Sequence, residues 1–413
     1  MKGIRKFLLV FIPVVIISLS VSLYVYSYLG GKDSVNNAIS NIFGVNNVEK
    51  EKQSSHGNIQ TAHIVANGDI LYHDVLYWSA QTEQGYDFNP YFEYVKDRIS
   101  EADLAIGDYE GTISDKHPLT GYPLFNAPKE TAQSMKDVGY DVVDLAHNHI
   151  LDTGLYGLKY TYNEFKNLGL TPIGVHVEKS RDEADITIKE INGIKIALLA
   201  YSYGFNGLES GISKADYNYH LSDLQEEKIK KDLEKAESMA DVTVVMPQMG
   251  VEYRLQPTEE QKTLYNKMLN WGADVVLGGH PHVVEPAEVV EINGDKKLII
   301  YSMGNFISNQ TVEMMRGLGV VSKWPERGVL MDIVFEKNNG KTIIKTAEAK
   351  PTLVVAEKNG KTYKNGYPLY NYRVLVLEDF LEGGKYYGKY NGEIQNKIET
   401  TYKEMNEHVG LKW

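Results

Sequence analysis

"GADVVLGGHPHVVEP", residues 272–286, decides how this chain is read. An aliphatic run reads as a buried strand. It stops at two glycines, and two histidines then flank a proline. A buried imidazole needs a hydrogen-bond partner, and two together are costly. The pair either packs or converges on something that accepts nitrogen ligands. In an extended segment, residues i and i+2 point to one side. Pro281 fixes its own φ and pushes His280 toward extended geometry. His280 and His282 are then presented together, as a metal requires, and Gly278 and Gly279 let the backbone come close.

Working outward, other apolar runs end in the same way. "ANGD" (66–69) ends in Asp69, with His73 four positions on. "AIGDYE" (105–110) supplies Asp108 and Glu110, and "DLAHNH" (144–149) supplies His147, Asn148 and His149. "VVMPQMGVEY" (244–253) supplies Gln248 and Glu252, and "YSMGN" (301–305) supplies Asn305. Helix-like segments at 88–100, 129–138, 156–168, 223–238 and 259–271 alternate with the strand-like runs. Ser222 with Gln225 and Thr258 with Gln261 have capping-box spacing, and glycines 139, 169 and 272 stand where helices stop. This alternation predicts an α/β layered fold. In open α/β sheets, sites lie beyond the carboxyl ends of the strands. The polar residues should therefore gather on one rim. Taken singly, Asp69 reads as a turn or helix cap, Glu252 as a solvated carboxylate and His73 as a surface or capping residue. His147 alone reads as a backbone partner, and Asn305 as a turn cap. "HNH" and "GGHPH" on separate strand ends carry more than their parts.

The 413 residues are 43% hydrophobic and 24% charged, an ordinary globular balance. A formal net charge of −12 argues against nucleic acid as a partner. The absence of cysteine excludes disulfides, thiolate metal sites and a lipid-modified cysteine. Residues 7–29 run 23 positions without a charge behind Lys2, Arg5 and Lys6. They read as an uncleaved transmembrane anchor, with residues 1–6 as a cytoplasmic basic tail and the remainder outside the cell. Residues 30–58 read as a polar linker. Residues 59–335 form the main domain, and 336–413 a β-rich extension with a helix-like tail.

The chain resembles the capsule poly-γ-glutamate biosynthesis proteins of the CapA/PgsA type, which share the calcineurin-like metallophosphoesterase fold. The likeness covers roughly residues 60–335 through "NGDILYHD", "GDYEGTI", "GYPLFNAP", "DLAHNHILDTG", "PQMGVEY", "GADVVLGGHPHVVEP" and "YSMGNFISNQ". The resemblance implies a metallophosphoesterase-like sheet-and-helix domain holding a divalent metal of the manganese, zinc, iron or magnesium type. It assigns Asp69, Glu110, Asn148, His280 and His282 to the metal, and His149 to the substrate or leaving group. His73, His147, Gln248 and Asn305 are further candidates. This sequence departs from the family pattern where Gln248 and Met249 replace His-Trp, where Asp108 replaces Asn, and where His147 replaces the first Asn of Asn-Asn-His. Gln248 offers an amide oxygen in place of an imidazole, which predicts about one tightly held metal.

Two functions follow from the resemblance. One is a single-pass protein of the cell membrane with an extracellular domain, assisting synthesis, export or retention of poly-γ-glutamate. Its partners would be integral-membrane polyglutamate synthetase components, the membrane and the anionic polymer, with no nucleic acid. The other is an extracellular metal-dependent hydrolase acting on phosphoesters or polymer amides. A purely adhesive or structural surface protein fits the two histidine motifs less well.

Overall fold

The computed structural model describes residues 59–317, 319 and 322–413. The expected tail (1–6), anchor (7–29) and linker (30–58) lie outside the described residues. Among those that are described, no helix is long and apolar enough to cross a membrane.

Strands β1 (Gln60–Leu71), β2 (Leu104–Glu110), β3 (Val142–Asp144) and β4 (Thr171–Ile173) come first. They are followed by β5 (Thr187–Ile191), β6 (Ile194–Ser202), β7 (Val242–Gln248) and β8 (Val275–Leu277). Then come β9 (Val284–Ile292), β10 (Asp295–Met303), β11 (Asn305–Ile307), β12 (Arg327–Asn338), β13 (Lys341–Thr362) and β14 (Pro368–Val376). Two large sheets result. One has the order β14-β13-β12-β1-β2-β3-β4, with β11 parallel to β1, and the other β9-β10-β8-β7-β6-β5. Strands β1 to β4 pair in parallel, as do β6, β7, β8 and β10, while β5, β9 and β12 to β14 pair antiparallel.

The sheets pack face to face because side chains alternate along each strand. On β1, Ala62, Ile64 and Ala66 join the core between the sheets, while Val65 joins the outer core. On β7, Val244 and Met246 point inward and Val245 outward. With both faces covered, these strands read as unbroken apolar runs. Helices α1 (Glu130–Val138) and α2 (Gly154–Asn167) cover the first sheet, and α3 (Glu226–Glu237) and α4 (Glu259–Asn270) the second. Met405 and Val409 of α5 (Gly392–Val409) reach the inter-sheet core. The fold is thus α/β and layered.

Several local expectations can be compared directly. The Thr258–Gln261 capping box forms at the start of α4, and Gly139 ends α1 in a left-handed conformation. The Ser222–Gln225 box does not form. Gln225 itself is the N-cap of α3, and the Ser222 hydroxyl bonds His176 instead. The helix expected over 88–100 divides into a 3-10 turn, Asn89–Phe92, and a short helix, Lys96–Ser100, because Pro90 opens the turn. The change of pattern near 336 falls inside β12, and β13 and β14 continue the first sheet.

Candidate metal centre

The parallel strands set their last residues side by side. Asp69 pairs in register with Asp108, and Asp108 with Asp144, across β1, β2 and β3. Asp69 also pairs with Asn305 on β11. Residues from the second sheet close over this row. Gln248, at the end of β7, donates through Nε2 to Asp108 Oδ2 at 2.5 Å. His282 Nδ1 donates to Asp69 Oδ2 at 2.8 Å and to Asn305 Oδ1 at 3.1 Å, and lies 3.8 Å from Glu110 Oε2. Gln248 and His282 thus stitch the two sheets together at the site.

The histidine loop is not extended, contrary to the expectation from Pro281. His280 has φ of 94° and His282 of 55°. Strand β8 is parallel to β10, whereas β9 is antiparallel to it, so the chain must reverse between 277 and 284. Two non-glycine residues at positive φ accomplish that reversal, a strained arrangement of about 1–3 kcal/mol each. The imidazoles still converge, with ring centroids 6.1 Å apart. The two glycines meet the expected need for space. A Cβ on Gly278 would stand 2.0 Å from Tyr301 O, and one on Gly279 2.6 Å from Gln248 Nε2.

The structure brings Asp69, Glu110 and His282 together at the carboxyl ends of the strands, as expected, but as a buried cluster over which the second sheet closes. Asp69 is 0% exposed, Glu110 1%, Asn148 2%, His280 and His282 4%, and His149 7%. Asp69, Glu110 and His282 each present a ligand atom within 4.8 Å of the others. His280 stands beside His282, with the Tyr203 ring centroid 4.5 Å from its own, and Asn148 lies next to His149, donating to Asn206, whose amide nitrogen faces His149 Nδ1 at 3.5 Å. His149 Nδ1 bonds Asp152 Oδ2 at 2.7 Å, and its Nε2 points toward Glu110 Oε1 at 3.9 Å. Asp152 also accepts from the Phe125 backbone N–H, and the Phe125 ring packs edge-on against His149.

Burial and crowding set the electrostatics. Burial, helped by Asp69, pushes the Glu110 carboxyl up to about 7 against the pull of His282. Burial also raises Asp144 to about 8. Asp108 is held well above its ordinary range by burial and by Asp144, Asp69 and Glu110. For His282, burial opposes the charge, but Glu110 and Asp69 outweigh it and raise the imidazole to about 10. His149 follows the same logic: burial lowers it, while Asp152 and Glu110 lift it above its ordinary value. Burial drives His280 down to about 3.

A metal would fit these residues. Asp69 Oδ1, Asp108 Oδ1, both Glu110 carboxylate oxygens, Asp144 Oδ2, Asn148 Oδ1, Gln248 Oε1 and His280 Nδ1 are buried without any hydrogen-bond partner. Buried polar atoms are rarely left so, and a cluster made of acceptors calls for cations. Carboxylate, amide oxygen and imidazole together suit a divalent ion.

The remaining candidates have local roles. His147 is fully buried, and its ring nitrogens face the backbone N–H groups of His149 (3.1 Å) and Gly111 (3.4 Å). His73 is not on the surface. It is 3% exposed, and its Nδ1 accepts from Asn309 N at 3.3 Å. Asn305 fixes His282 and donates to Gln310 and Pro325, while Glu252 is exposed. Sequence reading did not single out Asp144, Asp152, Tyr203 or Asn206, whose amide accepts from Asn148 at 3.2 Å. Asp152 stands three residues after His149 in "HILD", a spacing that was available as a signal.

Comparison with known proteins bears on the same stretch. Residues 63–310 match the family model described as Bacterial capsule synthesis protein PGA_cap. The PGA biosynthesis protein CapA of Bacillus subtilis (strain 168) is 31% identical over 228 residues, covering 53% of this chain and 57% of that protein. The capsule biosynthesis protein CapA of Bacillus anthracis is 30% identical over 227 residues, covering 53% and 54%. The match therefore spans about half the length of these curated relatives. Among solved structures, the calcineurin-like phosphoesterase YfkN from Bacillus subtilis aligns with a TM-score of 0.42 at 16% identity, over 86% of this chain and 100% of that one. A phosphatase from Mycoplasma pneumoniae aligns at 0.41 and 14%, over 71% and 94%.

Proposed function

The chain belongs to the bacterial capsule synthesis protein PGA_cap family, and from that premise we propose that it assists the synthesis, export or retention of a poly-γ-glutamate capsule polymer. The family match, which spans all the candidate metal residues from Asp69 to Asn305, carries this reading. In the same proposal the uncharged segment 7–29 anchors the chain, and the sheet domain works outside the cell beside membrane-bound polymer synthetase components. The test is complementation. Expressed in Bacillus subtilis (strain 168) lacking its CapA relative, the chain should restore polymer release, and protease added to protoplasts should remove residues 59–413. Absence of polymer despite normal expression would sink the first claim. A protected domain would sink the second.

The buried cluster supports a second reading, metal-dependent hydrolysis. Asp69, Glu110 and His282 would hold the ion, with Asn148, Gln248 and His280 as further donors. When bound, such an ion supplies Lewis acidity and an activated water. The chain's own residues do the rest. Asp152 fixes the His149 ring through Nδ1 and leaves Nε2 facing the cluster, placed to give a proton to a departing oxygen. Its raised pKa keeps that proton available near neutrality. Turnover of a generic phosphodiester by the manganese-loaded protein, abolished in His149→Ala, tests this reading. Zero turnover with full metal content leaves only the assembly role.

A further inference from the structure

Seven non-glycine residues among those described have positive φ. Asn192, Asn293 and Asn339 each precede a glycine in the hairpin turns β5–β6, β9–β10 and β12–β13, the ordinary use of Asn-Gly. The other four, Asn206, Tyr253, His280 and His282, all stand at the metal centre. Tyr253 differs from the rest. A side chain of that bulk at φ of 63° is strained, and it persists only where the surroundings impose it. Its N–H donates to Pro281 O at 2.8 Å, and its hydroxyl accepts from Gln310 Nε2 at 3.2 Å. The ring is thereby fixed 6.1 Å from that of His282. Against the other imidazole, the Tyr203 ring lies 4.5 Å from His280 and remains 46% exposed.

We propose that Tyr203, Tyr253 and Glu252 form a subsite at the mouth of the metal centre for an ammonium group, carried by a small phosphoester whose anionic end reaches the ion. Charge selects the ammonium. Burial, followed by Glu252 and Glu110, holds both phenols above their ordinary pKa, Tyr203 at about 12, so Glu252 acts on both rings and both stay neutral. Glu209 acts on Tyr203 as well, and its Oε2 is buried without a hydrogen-bond partner. Among the described residues, neither Glu252 nor Glu209 has an ion-pair partner. Arg254, next to Tyr253 in the chain, bears on Glu285 instead.

Neutral aromatic rings beside unpaired carboxylates attract a cation through the ring quadrupole and through charge. Exposed Tyr122 acts on Tyr253, and exposed Val251 adjoins Glu252, so apolar surface for methyl groups is present at the same opening. A second anionic group placed here would meet like charge and be disfavoured. The subsite therefore separates a zwitterionic phosphoester from one whose tail is uncharged or anionic.

This inference rests on the metal-dependent reading of the cluster, and binding can be measured apart from turnover. The manganese-loaded full chain, purified in detergent, is titrated calorimetrically with phosphocholine and with 3,3-dimethylbutyl phosphate, which has the same shape without the positive charge. Phosphocholine should bind about tenfold more tightly, the size expected of a cation held by aromatic rings. Tyr203→Leu and Glu252→Gln should each remove most of that preference, while affinity for 3,3-dimethylbutyl phosphate, manganese content and melting temperature match the parent. Choline alone should compete with phosphocholine. Equal affinity for the two esters in the parent, a preference that survives both variants, or no binding of either ester at full manganese content would overturn the proposal. A preference for phosphocholine without turnover of either ester would leave the subsite standing and remove the hydrolytic reading. Turnover of both esters with equal affinity would do the reverse.

Discussion

The two halves of the metal centre are built differently. In the half around Asp69, Glu110 and His282, an imidazole raised to about 10 lies between two carboxylates and is locked by Asn305. Charge there is partly compensated by the protein itself. In the half around Asp108, Asn148, Gln248 and His280, one amide N–H serves Asp108, and the remaining lone pairs have nothing. His280, driven down to about 3, brings no positive charge. The first half can persist without a cation by keeping a proton on His282. The second can do so only by keeping a proton on Asp108, whose carboxyl is held well above its ordinary range by burial and by its acidic neighbours. A metal entering the first half must displace a proton, which makes its binding pH-dependent.

The largest effect should come from Asp69→Asn. It removes a carboxylate from the compensated half, and metal affinity should fall beyond the ~10–100-fold that losing a group behind a ligand costs. Calorimetry with manganese measures it, and retained affinity would erase the distinction between the halves.

Next is pH. Folded-state values of about 7 for Glu110 and about 8 for Asp144 lie above their ordinary ones. Stability from these groups is therefore full near about pH 4 and is lost as pH rises through 7 to 8. His282 acts in the same direction, but only between its ordinary value and about 10. Chelator-treated protein should melt lower as pH rises from 5 to 8.5, Glu110→Gln should flatten that fall, and added manganese should flatten it further. A melting temperature that climbs over this range would contradict the burial argument.

Gln248→His and His280→Ala sharpen the comparison from the weaker side. The unmodified protein should retain about one metal equivalent, because a neutral amide is a poorer donor than imidazole. Gln248→His should add part or all of a second, and His280→Ala should lower occupancy while the protein stays folded. Elemental analysis of dialysed protein decides; two full equivalents in the parent would show that Gln248 costs nothing.

A smaller effect is expected at Gln261. Its amide oxygen accepts from Thr258 N, and its Nε2 donates to Met249 O and Glu285 Oε2, tying α4 to the segments after Gln248 and His282. Gln261→Ala strands these groups and should cost about 1–3 kcal/mol in urea unfolding. Smallest is Tyr122→Ala, 74% exposed, which should stay within about 0.5 kcal/mol.

Much of the site was legible locally. Strands end where the apolar runs end, and Asp69, Glu110, His149, His280 and His282 all stand at or just after such points. The capping box at Thr258 was legible for the same reason, since three residues and one turn contain all of it. The extended reading of His280 failed because proline's local preference competes with a reversal demanded by the pairing of β8, β9 and β10. Ser222 failed as a cap because its partner, His176, comes from 46 residues away. Asp144 and Asp152 were passed over because a single acid after a strand or in a turn has no distinguishing pattern until its neighbours are in place.

The sequence by itself determined the alternation of apolar runs and helices, the ligand-type residues at strand ends, the glycines that permit close approach, and the absence of thiol chemistry. These are consequences of periodicity and of side-chain type, which act over a few residues. Only the tertiary structure decided that the site is buried between two sheets, that Gln248 turns its amide N–H toward Asp108 across 140 positions, and that His282 meets Asp69 across 213. It also decided which lone pairs remain unpaired. Hydrogen-bond satisfaction and desolvation depend on every group within a few ångströms, and no stretch of chain carries that information until the sheets have closed on each other.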